Sequence, residues 1–558
     1  MSTNELLEPE LLYKNELKEK HHDNVVKYFD DLVKKSGVSE SENRATCKKY
    51  YEALAELEVL RKKENNLSML LVLFVILSFI IVGIFLIFAV YRPKKQALKL
   101  EIRNKEDDVE LLLNEAKIQM APLNRLFDTS IPSKIMETTT PLIDMDRIFD
   151  VKKYELLHDK YGLWDNVEED SSVLDLQSGN ILGNPFVVFK ELHQEMVNER
   201  YVGTKLITYT VGSGENKRIV TQTLEAVVEK PKPVYSKETY LVYGNEAAMH
   251  LKFSRDPSKI NSMDEKEIQR YVKHHERDLV KYAEKSAKNG GNYTPLGNAE
   301  FELFFGGLDR NNEVEYRLLF TPLAQKSMLQ VLKSKIGYGD DFRFVKDGGL
   351  NLITSVHSQN DVLFIGPDEF KGIDLDKMRT HFYEFNDNYF KALFFDFAPL
   401  LSIPLYQQQK AHEYIYKDNV GSNFNCFEHE VLANKFNLNA FKPLKAVTDI
   451  ILKTKLVKKE KESDIVKVCA HSFATQKHLD LIPKMGGDGR MHEVPVEWIE
   501  YIPVSQESEI TVSDLEIDDE VKFKKLGQSS VIYAKGLVST MSDLNVDIKQ
   551  IKSYMKKD

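Results

Sequence analysis

The chain has 558 residues and a formal net charge of −10 at pH 7, and 29% of its residues are charged. This acidic balance argues against nucleic acid as the main partner, because phosphate contacts need a basic protein face. The cysteines, Cys47, Cys426 and Cys469, are too few for a disulfide framework, which favours a reducing compartment. A chain of this length is expected to fold into two or three units.

Residues 1–65 are predicted to form an N-terminal helical segment. Its second helix, over residues 41–63, carries Leu54, Leu57 and Leu60 at the three-residue spacing typical of one apolar face. Two interpretations remain open, an oligomerising coiled coil and a solvated spacer. The charged start of the chain has no apolar core of a signal peptide, so no cleavable signal is expected.

A transmembrane helix is predicted over residues 66–91. Residues 67–91 contain no charged side chain, and Ser68, Ser78 and Gly83 are the only interruptions among large apolar residues. A helix of this length rises about 37 Å, enough to cross a hydrocarbon core of roughly 30 Å. The prediction is therefore a single-pass protein of the cell membrane, with the lipid bilayer as one partner.

Basic residues flanking this run predict its orientation. Within 15 residues of the run, six lysine and arginine residues follow it, in residues 92–105, and three precede it, in residues 61–63, which favours a cytoplasmic C-terminal part by the positive-inside rule. Two other topologies stay open, an anchor with the large part outside the cell and a segment kinked near Gly83.

Residues 92–135 are predicted to be a juxtamembrane amphipathic helix and linker, with the helix over residues 96–120. Residues 132–141 are interpreted as the linker. An α+β domain is predicted over residues 140–410. Strand-like runs, each bounded by turn residues, predict strands at residues 186–192, 205–211, 221–229, 301–305, 314–320 and 361–365.

Three local signals in this domain predict more detail. Ser262 and Glu265 fit a capping box for a helix to residue 287. Thr321 is the predicted N-cap of a helix that starts with Pro322. A hairpin is predicted over residues 342–356, followed by a long aromatic helix over residues 374–397.

A second, smaller α+β unit is predicted over residues 421–505. Helices are expected at residues 427–436 and 441–455, and strands at residues 465–469 and 494–503. Residues 506–558 are interpreted as an acidic, solvated tail with a short C-terminal helix.

Several of these runs together resemble an uncharacterised family of bacterial membrane proteins. The resemblance covers roughly residues 150–400 and rests on residues 185–192, 300–304, 313–322, 342–356 and 361–364. It implies N-terminal membrane segments and a cytoplasmic α+β domain, and it implies no reaction and no catalytic residues. The chain departs from the family in having one apolar run instead of a pair, and in lacking an expected aromatic run in the strand region.

Cys426, His429, Cys469 and His471 form the candidate metal site. Residues at i and i+3 of a helix, and at i and i+2 of a strand, share one face, so the two pairs together match a Cys2His2 zinc set. Cysteine is also a common small buried hydrophobe, which is the competing interpretation. Apart from this possible zinc, the sequence predicts no cofactor.

Residues 484–490 are glycine-rich with basic flanks and fit either a phosphate-binding loop or a hairpin turn. The absence of a phosphate-loop, nucleophile-elbow or zincin motif leaves no predicted catalytic residue. We therefore expect a membrane-anchored, non-enzymatic scaffold that presents its α+β domain to a protein partner or to a second copy. The alternatives are an enzyme that uses the cysteine and histidine set, and a lipid- or surface-ligand-binding module.

Overall fold

The computed structural model describes residues 6–77, 91–128, 130–146, 149–163, 170–360, 363–364, 368–408, 427–436, 438–459, 463–514, 533–534 and 537–541. Within these residues the fold is α+β, with two antiparallel sheets. The chain divides into two compact units. Unit 1 comprises Met1–Glu10, Leu142–Asp361 and Phe395–Asp558, and unit 2 comprises Leu11–Pro141 and Val362–Phe394.

The described α-helices are these, in chain order: α1 (Pro9–Leu12), α2 (Lys18–Ser36), α3 (Glu40–Leu77), α4 (Arg92–Asn124), α5 (Ile131–Thr139), α6 (Val151–Asp159), α7 (Glu265–Lys288), α8 (Ala299–Phe305), α9 (Glu313–Leu319), α10 (Pro322–Leu332), α11 (Leu375–Leu401) and α12 (Phe427–Lys435). A π-helical turn, Tyr13–Leu17, joins α1 to α2, and short 3₁₀ turns occupy Gly214–Asn216, Ile260–Ser262, His357–Asn360, Pro404–Gln407 and Leu438–Ala440.

Unit 2 is helical. Its core lies where α2, α4 and α5 meet the first part of α11, and Phe29 and Phe382 are fully buried there with ring centroids 5.1 Å apart. Helices α3 and α4 pack along their length through Leu57, Leu60 and Ile102. The apolar spacing of residues 41–63 therefore serves an intramolecular helix pair.

The transmembrane prediction for residues 66–91 is wrong. Among the described residues, no helix is both long enough and apolar enough to cross a membrane. Helix α3, in which the apolar run begins, is charged along most of its length before residue 66, and the described helix ends at Leu77. Residues 78–90 lie outside the described residues. The predicted single-pass membrane location with a cytoplasmic C-terminal part is wrong on the same finding.

Sheet A contains seven strands in the order β1-β2-β3-β4-β7-β6-β5. The strands of sheet A are β1 (Ile143–Met145), β2 (Ser171–Ile181), β3 (Asn184–Val211), β4 (Arg218–Gly244), β5 (Lys252–Arg255), β6 (Phe342–Asp347) and β7 (Leu350–Ser355). Sheet B has the order β11-β12-β10-β9-β8. Its strands are β8 (Ile451–Lys459), β9 (Ser463–Met485), β10 (Met491–Asp514), β11 (Tyr533–Ala534) and β12 (Leu537–Met541). Both sheets belong to unit 1, and α12 packs with β2 and β8 over a core that includes Leu176, Leu432 and Leu452.

Four secondary-structure predictions are corrected. Residues 301–305 and 314–320 are helical, because the Asn298 and Asn312 side chains accept hydrogen bonds from the amides of Phe301 and Glu315 and so start α8 and α9. The other two corrections concern the predicted linker and the helix after residue 441. The linker at residues 132–141 is mostly helix α5. Residues 441–450 are turns and loop instead of the predicted helix, with Lys445 at a φ of +68°, and β8 begins at Ile451.

The strongest local signals are confirmed. Thr321 caps α10 by accepting from the Ala324 amide, and β6 and β7 form the predicted hairpin. The aromatic helix is α11. The capping box lies two residues later than predicted, at Asp264 and Glu267. The predicted strand at residues 361–365 lies mostly outside the described residues.

Candidate interaction surface

Two unusually long hairpins dominate the sheets. Strand β3 pairs with β4 along residues 186–211 and 218–243, and β9 pairs with β10 along residues 463–485 and 491–513. At about 3.4 Å per residue, these ladders span roughly 75 to 90 Å. Isolated two-stranded hairpins are marginally stable in water, so hairpins of this length need a further packing partner.

Neighbouring strands cover only the base of each hairpin. The pairing of β2 with β3 ends at His193, and that of β8 with β9 ends at His471. In the part of the chain that the structure describes, residues 194–238 and 472–509 form strand pairs only within their own hairpins. We call these two segments the double hairpin.

The two hairpins pack face to face. Ile207, Leu224 and Ala226 of the first hairpin form a buried cluster with Val494 and Val496 of the second. On β10, the even-numbered residues therefore point inward, and the odd-numbered residues point outward. Each hairpin thus supplies the apolar cover that the other lacks.

Close backbone approach requires glycine at one point of this packing. A Cβ atom on Gly203 would lie 2.0 Å from the carbonyl oxygen of Pro495. Near the tip, the Gly487 amide donates to Gln222 Oε1 at 2.8 Å, and Lys205 Nζ donates to the Glu493 carbonyl at 2.9 Å. These contacts fix the register of one hairpin on the other.

Charged and aromatic groups join the hairpins further along. Lys230 Nζ lies 4.0 Å from the centroid of the Trp498 ring and 3.5 Å from Asp480. The ring of His478 stacks on Trp498 with centroids 4.6 Å apart, and its Nε2 lies 2.7 Å from Glu500. These partly exposed groups add a polar interaction to the apolar interface between the hairpins.

The first hairpin also carries its own ion pair. Lys232 Nζ of β4 donates to Glu199 of β3 at 2.8 Å, and this hydrogen bond lowers the pKa of the Glu199 carboxyl. Tyr201 donates to the same carboxylate at 3.0 Å. Glu199 is therefore a fixed negative charge on β3 at neutral pH.

Among the described residues, the outward face of β9–β10 carries exposed apolar side chains beside the exposed Glu493 and Glu497. Leu479, Leu481, Met485 and Met491 have exposed fractions between 54% and 61%. Met485 lies opposite Met491. We call the following set the apolar stripe: Leu479, Leu481, Pro483, Met485, Met491 and Pro495. Contiguous exposed apolar patches are uncommon on monomeric proteins and mark interaction sites.

The predicted metal-site residues are distributed as follows. His429 is buried on α12, whereas Cys469 and His471 lie partly exposed on β9, and Cys426 lies outside the described residues. Among the residues that the structure describes, no group of three histidine, cysteine, aspartate or glutamate side chains is arranged to hold a metal ion. A zinc site that includes Cys426 stays a prediction.

The glycine-rich loop at residues 484–490 is the turn between β9 and β10. Its backbone amides are already used, because Gly487 donates to Gln222, Gly489 to the Gly486 carbonyl, and Arg490 to Asp488. A strand follows the loop, so a helix N-terminus that would complete a phosphate site is not there. The loop acts as a hairpin turn.

A buried ionisable cluster escaped the sequence analysis. His357 Nδ1 lies 2.7 Å from Asp341, its Nε2 lies 3.4 Å from Asp396, and the Tyr338 ring stacks on it with centroids 3.8 Å apart. Ser358 donates its hydroxyl to Asp396, and burial raises the pKa of that carboxyl. Because the hydroxyl is bonded to the carboxylate, the geometry differs from that of a serine activated by histidine. No sequence spacing links these residues.

A surface depression of about 640 Å³ lies in unit 2, lined by residues that include Arg44, Cys47 and Lys377. Its main charges are already paired, since Arg44 Nε donates to Asp376 at 2.8 Å and Lys377 Nζ lies 3.9 Å from the Tyr51 ring centroid. Burial raises the pKa of the Cys47 thiol, which keeps it protonated and unreactive.

Comparison with known proteins leaves the double hairpin and its apolar stripe as the main guide to function. The chain matches no family model, no curated protein and no solved structure.

Proposed function

We propose that the chain is a non-enzymatic scaffold that binds another protein chain through the apolar stripe on its double hairpin. The observation that supports this proposal is the exposure of four large apolar side chains, Leu479, Leu481, Met485 and Met491, on one continuous face. Covering a half-exposed side chain of this kind contributes about 1 kcal/mol. The exposure of these four side chains to water is unfavourable in free energy, and a docked protein would remove that exposure.

Rigidity makes this face suitable for docking. The stripe lies on a ladder backed by the buried cluster between the hairpins, so the backbone that carries its side chains is held in place before a partner arrives. A preorganised surface loses less conformational entropy on association than a mobile one. Its prolines also remove backbone donors, which favours side-chain docking over strand addition at this hairpin.

Site-specific photo-crosslinking in the producing cell tests the proposal. The photoreactive residue p-benzoylphenylalanine is placed at Leu481 of the full chain, and at Thr223, an exposed residue on the outward face of the other hairpin, as a control. We expect a discrete protein adduct from position 481, absent from position 223.

Specificity is checked in the same experiment with Leu479→Ser and Met485→Ser added to the Leu481 probe. These changes remove apolar contact while both side chains are already exposed, so folding is preserved. The adduct should fall at least fivefold. Equal adduct yields from positions 481 and 223, or yields insensitive to the serine changes, would refute the proposed function.

A further inference from the structure

The double hairpin has four strand edges, and the edge of β3 is the one that carries no proline within the double hairpin. Strand β4 carries Pro231 and Pro233, β9 carries Pro483, and β10 carries Pro495 and Pro503. Proline removes a backbone donor and so resists pairing with an added strand. Residues 194–211 of β3 contain no proline.

Within the described residues, the edge of β3 that faces away from β4 carries backbone groups that no neighbouring strand pairs with beyond its base. Its other side is fully paired with β4, whereas β2 accompanies it only as far as His193. Within the described residues, no strand pairs with this edge from residue 195 to the tip. A long free edge without proline is a template for strand addition.

The sequence of β3 is complementary to itself in one register. An antiparallel pairing of two β3 strands about a two-fold axis at Val202 places Glu199 opposite Lys205 of the other copy, twice. It also places Val197 opposite Ile207 twice. Opposite charges and apolar pairs directly across a ladder are both stabilising.

Neighbouring registers lose this complementarity. Shifting the axis to Gly203 sets Glu199 opposite Ile207, and shifting it to Tyr201 sets Lys205 opposite Val197. The charges therefore select the axis at Val202. The hydrogen bond from Lys232 keeps Glu199 ionised and in place for this contact.

We propose that two copies of this chain associate by antiparallel pairing of their β3 edges, which joins the first hairpins into one four-stranded sheet. The inference goes beyond the proposed function, because the pairing uses the β3 edge and leaves the apolar stripe on β9–β10 free. A two-fold axis perpendicular to the joined sheet leaves both second hairpins on the same side. Both apolar stripes then face one way and can engage a further partner bivalently.

A charge-swap series in the full chain tests the pairing. Lys205→Glu and Glu199→Lys each place like charges opposite one another, and the double variant restores opposite charges. Lys205→Glu also loses the hydrogen bond to the Glu493 carbonyl, and Glu199→Lys loses the one from Lys232, so the free energy of unfolding of each variant is measured beside its dissociation constant. Sedimentation equilibrium should show a dimer for the wild type, a dissociation constant at least tenfold higher for each single variant, and recovery in the double variant. Lys217→Glu, an exposed change in the turn after β3, is the control and should leave the constant unchanged.

A proximity measurement complements this series. Val202→Cys should give a dimer when treated with a short bismaleimide, because directly opposed residues in an antiparallel ladder have Cα atoms about 4.5 to 5.5 Å apart. Thr223→Cys, on the outward face of β4, should not exceed the wild-type background. Circular dichroism of each variant confirms that the chain is folded.

Each of three results would overturn the inference. The wild type could be a monomer at 50 times the concentration used in the crosslinking reaction, the single variants could dimerise as tightly as the wild type, or the double variant could fail to recover dimerisation. These failures are distinguishable from failure of the proposed function. Stripe-specific photo-adducts from position 481 would persist in a monomeric chain, whereas a dimer without such adducts would keep the pairing and remove the stripe as a docking face.

Discussion

The contact between the two hairpins at Gly203 makes a sharp prediction. In Gly203→Ala, the added Cβ would lie 2.0 Å from the Pro495 carbonyl oxygen and 2.9 Å from the Val496 Cα. Both are backbone atoms, so no side-chain rotation relieves the overlap and the hairpins must separate locally. Overpacking of this kind costs about 1 to 3 kcal/mol. We expect a loss of about 2 kcal/mol in the free energy of unfolding.

Gly297→Ala is the matched control. A Cβ at Gly297 meets no heavy atom within 4 Å, so this change should alter stability by less than about 0.5 kcal/mol. Urea denaturation measures both variants, and amide hydrogen exchange should show faster exchange in the double hairpin of Gly203→Ala alone. Two results would refute the packing described for the two hairpins. They are equal stabilities of the two variants, and unchanged amide exchange in residues 194–238 and 472–509.

Two further predictions concern buried charges in unit 1. Burial raises the pKa of the Glu430 carboxyl from 4.5 to about 7. The protonated carboxyl therefore contributes its full stability below pH 4.5, and this contribution is lost as the pH rises through 7. The free energy of unfolding should fall by about 3 kcal/mol over this range. Glu430→Gln should therefore flatten the fall in the free energy of unfolding between pH 4.5 and 8, and a parallel fall in both proteins would contradict this. Arg255 donates two hydrogen bonds to Asp340 with both side chains fully buried, so Arg255→Met should cost about 3 to 5 kcal/mol in urea titrations, and a cost below 1 kcal/mol would show that the pair is dispensable.

Local signals in the sequence predicted local structure well. The cap at Thr321, the hairpin of β6 and β7, and the aromatic helix α11 each follow from residues within one turn or one strand. The prediction of strands at residues 301–305 and 314–320 was wrong because alternating apolar residues resemble a strand, while asparagine caps and tertiary packing select helix.

The length of the double hairpin could not be predicted. Strand-like runs were recognised at residues 186–192 and 205–211, but the residues between them are polar and partly exposed, and they lack the alternation of a half-buried strand. They are strand because β4 pairs with them throughout and the second hairpin packs on the part near the tip. The apolar stripe depends on the same tertiary arrangement, which decides which side of β9–β10 faces outward.

The transmembrane prediction failed for a related reason. The prediction used only the uncharged run of residues 67–91, whereas the described helix α3 starts at Glu40 and is charged over most of its length. The zinc prediction combines Cys426 and His429 with Cys469 and His471 by spacing alone, and it stays a prediction because Cys426 lies outside the described residues.

Methionine oxidation footprinting tests the central claim, docking of a protein on the apolar stripe, most directly. Met485 and Met491 are 61% and 57% exposed, and Met249, 37% exposed and outside the double hairpin, is an internal reference. Brief peroxide treatment of intact cells is compared with treatment of the purified chain, and the ratio of stripe to reference oxidation is read by mass spectrometry. We expect this ratio to be at least fivefold lower in cells, because a docked protein covers the stripe. An equal ratio in cells and in the purified chain would contradict the account.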